Sequence, residues 1–148
     1  MTKEVIISIC GFQAGQDLDN EPIEMITTGE YFYKNGKHYL LYEEVMEGET
    51  QVTKNRIKVG PDYMELTKNG VVSVHMVFEK NKKNLTHYYT PYGSLMIGID
   101  AKKVDIKETE NQMDIEVDYA LELNQEHAAN CNIKISVKSK GVTPFSLV

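Results

Sequence analysis

The chain has 148 residues, of which 41% are hydrophobic and 26% are charged, and its formal net charge is -6. This size and balance predict one globular domain spanning residues 1–148, and they exclude a disordered chain. The acidic balance argues against nucleic acids and anionic membranes as partners. Since no apolar run approaches the roughly 20 residues that a membrane-spanning helix needs, we expect a cytoplasmic protein.

Apolar and polar residues alternate along several segments, which is the period of a β-strand with one buried face. The clearest example is 113–123, where apolar residues at every second position are separated by Asp114, Glu116, Asp118, Ala120 and Glu122. The first segment is apolar on both faces, as a strand inside a sheet can be. We predict nine or ten strands from eleven segments, one or two of which merge: 4–12, 22–34, 37–47, 50–59, 62–68, 71–79, 85–90, 94–100, 103–110, 113–124 and 130–138.

Turn signals between these segments predict hairpins. Asn35-Gly36 and Asn69-Gly70 each separate two strand segments, and Asn-Gly favours a two-residue type I′ turn because both central residues need positive φ. Sequential hairpins without a crossover helix leave a sandwich or an up-and-down barrel. The regular spacing and the long strands favour an all-β, closed antiparallel up-and-down barrel of about 8–10 strands. Residues 125–129 are the single segment that could form a helical turn.

The two cysteines test this closure. In an up-and-down barrel the first strand pairs with the last, so Cys10 and Cys131 are expected on neighbouring strands. Cys131 shares the parity of Ile133 and Ile135 and should face inward. In a reducing cytosol we expect two free thiols.

Several segments together resemble a known family. They are Gly29-Glu-Tyr-Phe-Tyr-Lys-Asn-Gly-Lys-His-Tyr-Leu-Leu-Tyr-Glu-Glu44, Lys68-Asn-Gly70, Met76-Val-Phe78, Thr90-Pro-Tyr-Gly93 and the strand containing Tyr119-Ala-Leu121. They resemble the YwiB-like bacterial proteins, a domain of unknown function with a calycin-like β-barrel. The resemblance covers nearly the whole chain and implies a lipocalin-like barrel, with no established substrate, cofactor or catalytic residue. The family leads us to expect an arginine where Lys68 stands. The chain also lacks Trp, so the lipocalin comparison is one of shape.

Arg56 is the single arginine of the chain, and Glu43 and Glu44 lie across a predicted reversal at Gly48. Inside a barrel, a guanidinium can hold a carboxylate or phosphate through two parallel hydrogen bonds. The alternatives are a structural ion pair and an arginine on the outer surface.

Tyrosines supply the other candidates. Seven of the nine tyrosines either line a cavity or pack across strands: Tyr31, Tyr33, Tyr39, Tyr42, Tyr88, Tyr89 and Tyr92. Thr90-Pro91-Tyr92-Gly93 breaks the strand pattern and forms either a loop at the barrel rim or a corner. Tyr42, Tyr92 and Lys68 join Arg56, Glu43 and Glu44 as the candidate ligand-binding residues.

The sequence predicts neither a metal site nor a cofactor, since its four histidines lack ligand spacing and no phosphate-binding loop occurs. Three hypotheses follow. The first is a non-catalytic barrel that binds a small, partly apolar ligand, with an anionic group as one option. The second is an enzyme that uses Glu43 or Glu44 with a Tyr or Lys as an acid–base pair. The third is a structural or protein-interaction barrel with a packed core. We expect a monomer or a weak homodimer.

Overall fold

A computed structural model describes residues 1–11, 23–45, 51–70 and 73–140. The side chains of Ile23 and Thr90 lie outside this description. No helix in these ranges is long and apolar enough to cross a membrane. The described residues form ten strands: β1 (Glu4–Gly11), β2 (Ile23–Lys34), β3 (Lys37–Val45), β4 (Val52–Val59), β5 (Tyr63–Asn69), β6 (Val74–Glu79), β7 (Lys82–Thr90), β8 (Gly93–Glu108), β9 (Gln112–Leu123) and β10 (Glu126–Ser139).

The strands form one antiparallel sheet in the order β6-β5-β4-β3-β2-β1-β10-β9-β8-β7. The predicted pairing of the first and last strands is confirmed, because β1 pairs with β10 from Val5–Ser139 to Gly11–Ile133. The seam lies instead between β6 and β7. Among the described residues, these strands are joined by the isolated bridge between Ser73 and Tyr89, whose two backbone hydrogen bonds measure 3.0 and 2.9 Å. The result is a nearly closed ten-stranded barrel, as the alternation predicted.

The strand β8 merges two of the predicted segments, 94–100 and 103–110. Its pairing with β9 shifts register between Ala101 and Lys103, so Lys102 is left without a partner on β9. A bulge of this kind bends a strand and increases its twist, which suits a 16-residue strand that must follow the barrel wall.

Inward-facing side chains form one hydrophobic core. The odd-numbered strands β1, β3, β5, β7 and β9 all finish at the same end of the barrel, which we call the upper end. The opposite end is the lower end. The strand pairing shows which residues face inward, because two directly paired residues place their side chains on the same face of the sheet. The largest fully buried side chains are Phe78, Ile7, Leu40, Ile57, Met64, Ile97, Ile99, Met113, Ile115, Val5, Val59 and Val117.

One of the two Asn-Gly turns is confirmed and the other is wrong. Asn35 and Gly36 have φ values of 53° and 77°, as a type I′ turn requires. Asn69 is instead still part of β5, opposite Lys54. The hairpin between β5 and β6 forms, but its last pair is Lys68–Val74, so the connection is longer than two residues. Gly70 allows the backbone to pass close to β4, because a Cβ at this position would collide with the Thr53 side chain.

The predicted helical turn at 125–129 is also wrong. Asn124 and Gln125 have φ values of 50° and 74°, and the flanking residues Leu123 and Glu126 are paired. Asn124 and Gln125 therefore form a two-residue hairpin turn of type I′, and β10 begins directly after this turn. This turn contains no glycine, so the sequence carries no glycine signal for a turn at this position. The predicted reversal at Gly48 lies outside the described residues.

Both cysteines are free, as expected, and the barrel gives the reason. They lie on paired strands, but Cys10 is opposite Lys134, three residues along the strand from Cys131. Cys131 is buried in the core, as its parity predicted, whereas Cys10 has the parity of the partly exposed Ile6 on the outer face. Two thiols on opposite faces of a sheet point apart and cannot be bridged without moving the backbone.

Gln125→Gly should stabilise the protein by about 0.5–1 kcal/mol. A residue with a side chain is strained in the left-handed region, and glycine relieves this strain at the cost of some backbone entropy. Urea denaturation followed by circular dichroism measures the change. Lys107→Gly, at an exposed position inside β8, is the matched control and should destabilise. Destabilisation by Gln125→Gly would contradict the assigned turn.

In the native protein, iodoacetamide should modify Cys10 much faster than Cys131. Burial shields the Cys131 thiol and raises its pKa, an effect that the hydrogen bond with Tyr119 only partly opposes, so the reactive thiolate is disfavoured. Peptide mass spectrometry after short labelling measures both rates, with urea-unfolded protein as the control in which the two become similar. Equal rates in the native state would show that Cys131 does not face the core.

Candidate functional site

Solvent reaches the inner face of the barrel near its upper end. Leu66, Tyr88, Leu123 and Met25 face inward and pack against the core, yet each is only partly buried. Burial nevertheless raises the pKa of the Tyr88 phenol. Inward-facing side chains in the middle of the barrel, such as Ile7, Ile57 and Val117, are fully buried, so the upper part is more open than the middle. Towards the lower end Val104 and Ile106 are again only partly buried. The four partly buried side chains near the upper end give this open part an apolar lining.

The wall of the barrel also divides on this side. The ladder between β2 and β3 runs from the Lys34–Lys37 turn to Glu30–Leu41, and the described residues above it are not paired with each other. Gly29 stands where the ladder ends. A Cβ there would lie 2.6 Å from the Leu41 carbonyl oxygen and 2.7 Å from Ile7 Cδ1, so only glycine fits this close approach.

Three polar side chains meet on the inner face beside this division, and we call them the upper polar cluster: Glu44, Asn55 and Lys68. Asn55 is on β4, between the strands that carry the other two residues, and it pairs with Tyr42 on β3 and with Lys68 on β5. The Lys68 ammonium donates to Glu44 Oε1 at 2.6 Å, and Asn55 Nδ2 donates to the same oxygen at 2.9 Å. The side chains of Glu44 and Lys68 are 16% and 23% exposed.

The side-chain amide of Asn55 has one buried acceptor, Oδ1, without a hydrogen-bond partner among the described residues. Its Nδ2 faces two acceptors, Glu44 Oε1 and the Thr53 carbonyl oxygen at 3.4 Å, which fixes the orientation because a flipped amide would set oxygen against oxygen. The residue is 3% exposed, and Oδ1 has no hydrogen-bond partner in the described structure. An unpaired buried acceptor costs about 1–3 kcal/mol and is unusual in a native protein.

Tyr42 completes the inner face of β3 next to this cluster. Its side chain is buried, and both burial and the negative charge of Glu44 raise the pKa of its phenol. The phenol therefore keeps its proton throughout the physiological range and offers an uncharged O–H.

The structure separates the six predicted site residues into two groups. Glu44, Tyr42 and Lys68 come together on the inner face. Of the alternatives for Arg56, the structure agrees with the one on the outer surface, because Arg56 and Glu43 are exposed on the outer face, each one residue away from an inward-facing neighbour. Tyr92 is 98% exposed in the turn between Thr90 and Gly93. This turn closes a tight hairpin at the upper rim, far along the barrel wall from β3 and β4.

Two polar features of the inner face were missed by the sequence reasoning. Asn55 was overlooked although it has the parity of the buried Ile57, which marks an inward polar residue. The other feature is a polar set at the lower end, where the Tyr31 hydroxyl and His38 Nδ1 share a hydrogen bond of 2.8 Å. His38 Nε2 lies 3.6 Å from the Glu108 carboxylate. Burial, together with the charges of Glu108 and Tyr33, raises the pKa of Tyr31, so this phenol also stays protonated.

Neither set has the composition of a metal site. In the part of the chain that the structure describes, no group of three or more His, Cys, Asp or Glu side chains is placed to hold a metal ion. The chemistry available in the upper polar cluster is hydrogen bonding, with one carboxylate, one ammonium and one amide.

Comparison with known proteins gives a consistent picture. A family model described as "Domain of unknown function (DUF1934)" matches residues 7–135. The "Uncharacterized beta-barrel protein YwiB" of Bacillus subtilis (strain 168) is 29% identical over 119 residues, which are 79% of this chain and 82% of that protein. The crystal structure of the ywiB protein from Bacillus subtilis superimposes with a TM-score of 0.73 and 22% identity, covering 92% of this chain and 89% of the other. The structural likeness shows the barrel fold.

Lys68→Met should lower the free energy of unfolding by about 1–3 kcal/mol, because it leaves the Glu44 carboxylate half-buried without its cation. The matched control is Lys54→Met, an exposed lysine on the adjacent strand, which should change it by less than about 0.5 kcal/mol. The double variant Glu44→Gln/Lys68→Met should recover part of the loss. Denaturant titrations measure all three. Equal losses from the two lysine variants would show that the ion pair contributes nothing.

Proposed function

This chain belongs to the family described as "Domain of unknown function (DUF1934)", and we propose that it is a non-catalytic β-barrel that binds a small, partly apolar molecule in the upper part of its interior. Ligand sites of this kind are concave, lined mainly by apolar side chains, and carry a few polar groups that orient the ligand. The proposal assigns the apolar part of the ligand to the lining formed by Leu66, Tyr88, Leu123 and Met25.

The observation that carries this proposal is the partial exposure of inward-facing apolar side chains. In a barrel with a purely structural role, full burial of Leu66 and Leu123 would be favourable, since each fully buried leucine contributes about 1.5–3 kcal/mol to stability. Both residues are instead half-buried while sharing strands with fully buried neighbours such as Met64 and Ile115. Apolar surface left open inside a fold favours a ligand over a packed core.

The position of Arg56 bears on the anionic option. That option depended on a guanidinium inside the barrel, and Arg56 is on the outer face. The remaining inward cation in the upper polar cluster is Lys68, which is already paired with Glu44 at 2.6 Å. A neutral ligand or one with a cationic group therefore agrees better with the cluster than an anion.

An acid–base enzyme is the second candidate, and one observation favours it. Glu44 lies inside the barrel, two residues from the buried, protonated phenol of Tyr42 on the same face of β3. Glu43 has no part in it because it is exposed on the outer face. The candidates differ in the fate of the bound molecule. Native mass spectrometry of protein purified from its own host should return one unchanged ligand from a binding protein, and substrate with product from an enzyme.

The neutral fluorophore N-phenyl-1-naphthylamine should bind the protein with saturable, one-to-one fluorescence enhancement. Leu66→Trp should weaken this binding by about tenfold or more, because the larger ring fills the upper interior. The matched control is Leu85→Trp, which adds the same ring at a leucine that is 60% exposed on β7 and should leave the affinity unchanged.

Circular dichroism and urea denaturation establish that both tryptophan variants are folded. Absence of saturable binding to the wild-type protein would overturn the proposal. Equal affinities of a folded Leu66→Trp variant and the wild type would place the binding outside the upper interior.

A further inference from the structure

We infer that the upper polar cluster recognises a hydrogen-bond donor, and that the ligand carries an amine or amide N–H group on its apolar body. This inference rests on the proposed function, because it concerns the polar end of the molecule bound in the upper interior. It names Glu44 and Asn55 as the contacting residues, with Lys68 as a positioning residue.

The hydrogen bonds within the cluster converge on one carboxylate oxygen. Lys68 Nζ and Asn55 Nδ2 both donate to Glu44 Oε1, at 2.6 and 2.9 Å. These two bonds hold the carboxylate in one orientation and leave Oε2 as the oxygen that neither of them uses. A carboxylate oxygen accepts and cannot donate when ionised, so its partner on a ligand must be a donor.

Asn55 provides the second, independent observation. Its side chain is 97% buried on the inner face, as follows from its 3% exposure, and Oδ1 accepts no hydrogen bond from any described residue. Because the Glu44 and Thr53 oxygens fix the amide orientation, this oxygen cannot exchange places with Nδ2. A donor that reaches this oxygen from beside Glu44 would satisfy it.

The charges of the cluster agree with a donor. Glu44 and Lys68 neutralise each other, so the cluster carries no surplus positive charge for an anion. An anionic group would meet Glu44 Oε2 and Asn55 Oδ1, two acceptors, and like charges or unpaired acceptors at close range are costly in a partly desolvated site. An ammonium or an amide N–H would instead form charge-assisted or neutral hydrogen bonds with both.

Three probes with one apolar body and different polar groups test the inference: 2-naphthylmethylamine, 2-naphthamide and 2-naphthoate. Isothermal titration calorimetry at pH 7 should show binding of the amine and the amide, with 2-naphthoate weaker by about tenfold or more. Glu44→Gln should reduce the affinity for the amine by about tenfold and remove most of the discrimination against 2-naphthoate. The matched control is Glu43→Gln, the adjacent carboxylate on the outer face, which should leave all three affinities unchanged.

The outcomes separate this inference from the proposed function. Binding of all three probes with equal affinity, or strongest binding of 2-naphthoate, overturns the donor inference and leaves an apolar ligand site. Failure of all three probes and of N-phenyl-1-naphthylamine to bind overturns both. Should Glu44→Gln unfold the protein, Asn55→Leu provides the second variant: because it removes the acceptor Oδ1, it should weaken binding of the amine and the amide and reduce the discrimination against 2-naphthoate.

Discussion

The ladder between β1 and β10 is the constraint on which the rest of the barrel depends. These strands come from the two ends of the described chain, and they pair over seven residues from Val5–Ser139 to Gly11–Ile133. The pairing places the doubly apolar β1 in the middle of a ten-stranded sheet. It also fixes which side of every strand faces inward, because a shift of one residue would turn each side chain to the other face. Closure by long-range pairing removes the exposed edges of β1 and β10.

Two interruptions in the wall then give the barrel its uneven interior. Between β6 and β7 the described strands meet at the Ser73–Tyr89 bridge near the upper end, and a turn after Glu79 joins their lower ends. Between β2 and β3 the ladder stops at Gly29, where a side chain would strike the Leu41 carbonyl oxygen. Inward side chains in the middle of the barrel are fully buried, and several near the upper end are half-buried, as Val104 and Ile106 are towards the lower end. The same barrel can therefore combine a stable packed core with an interior that solvent, and by our proposal a ligand, enters.

The upper polar cluster has a cost that a purely structural role does not explain. A half-buried ion pair can often be replaced by apolar residues without loss of stability, and an unpaired buried acceptor is unfavourable. Glu44, Lys68 and Asn55 maintain both features on one inner face, in a barrel whose other inward positions are mostly apolar. Residues that lower stability in this way tend to occur at functional sites. The polar set of Tyr31, His38 and Glu108 at the lower end differs, since the hydroxyl and the imidazole there already satisfy each other.

The sequence by itself determined the strands, the barrel and the family. Period-two alternation such as that of 113–123 depends on the geometry of a single strand, and it correctly predicted β9, the inward position of Cys131 and the pairing of the chain ends. Alternation also contains the information that Asn55 faces inward with Ile57 and that Arg56 does not, because Asn55 and Ile57 are two residues apart on one strand. Only the tertiary structure decided the rest. The type I′ turn at Asn124-Gln125 has no glycine signal, because the ladders on both sides impose its positive φ angles. The Asn69-Gly70 pair does not form the predicted turn because Asn69 continues β5 opposite Lys54. The convergence of Lys68 and Asn55 on one oxygen of Glu44 depends on the register of three strands, and no local pattern encodes that register.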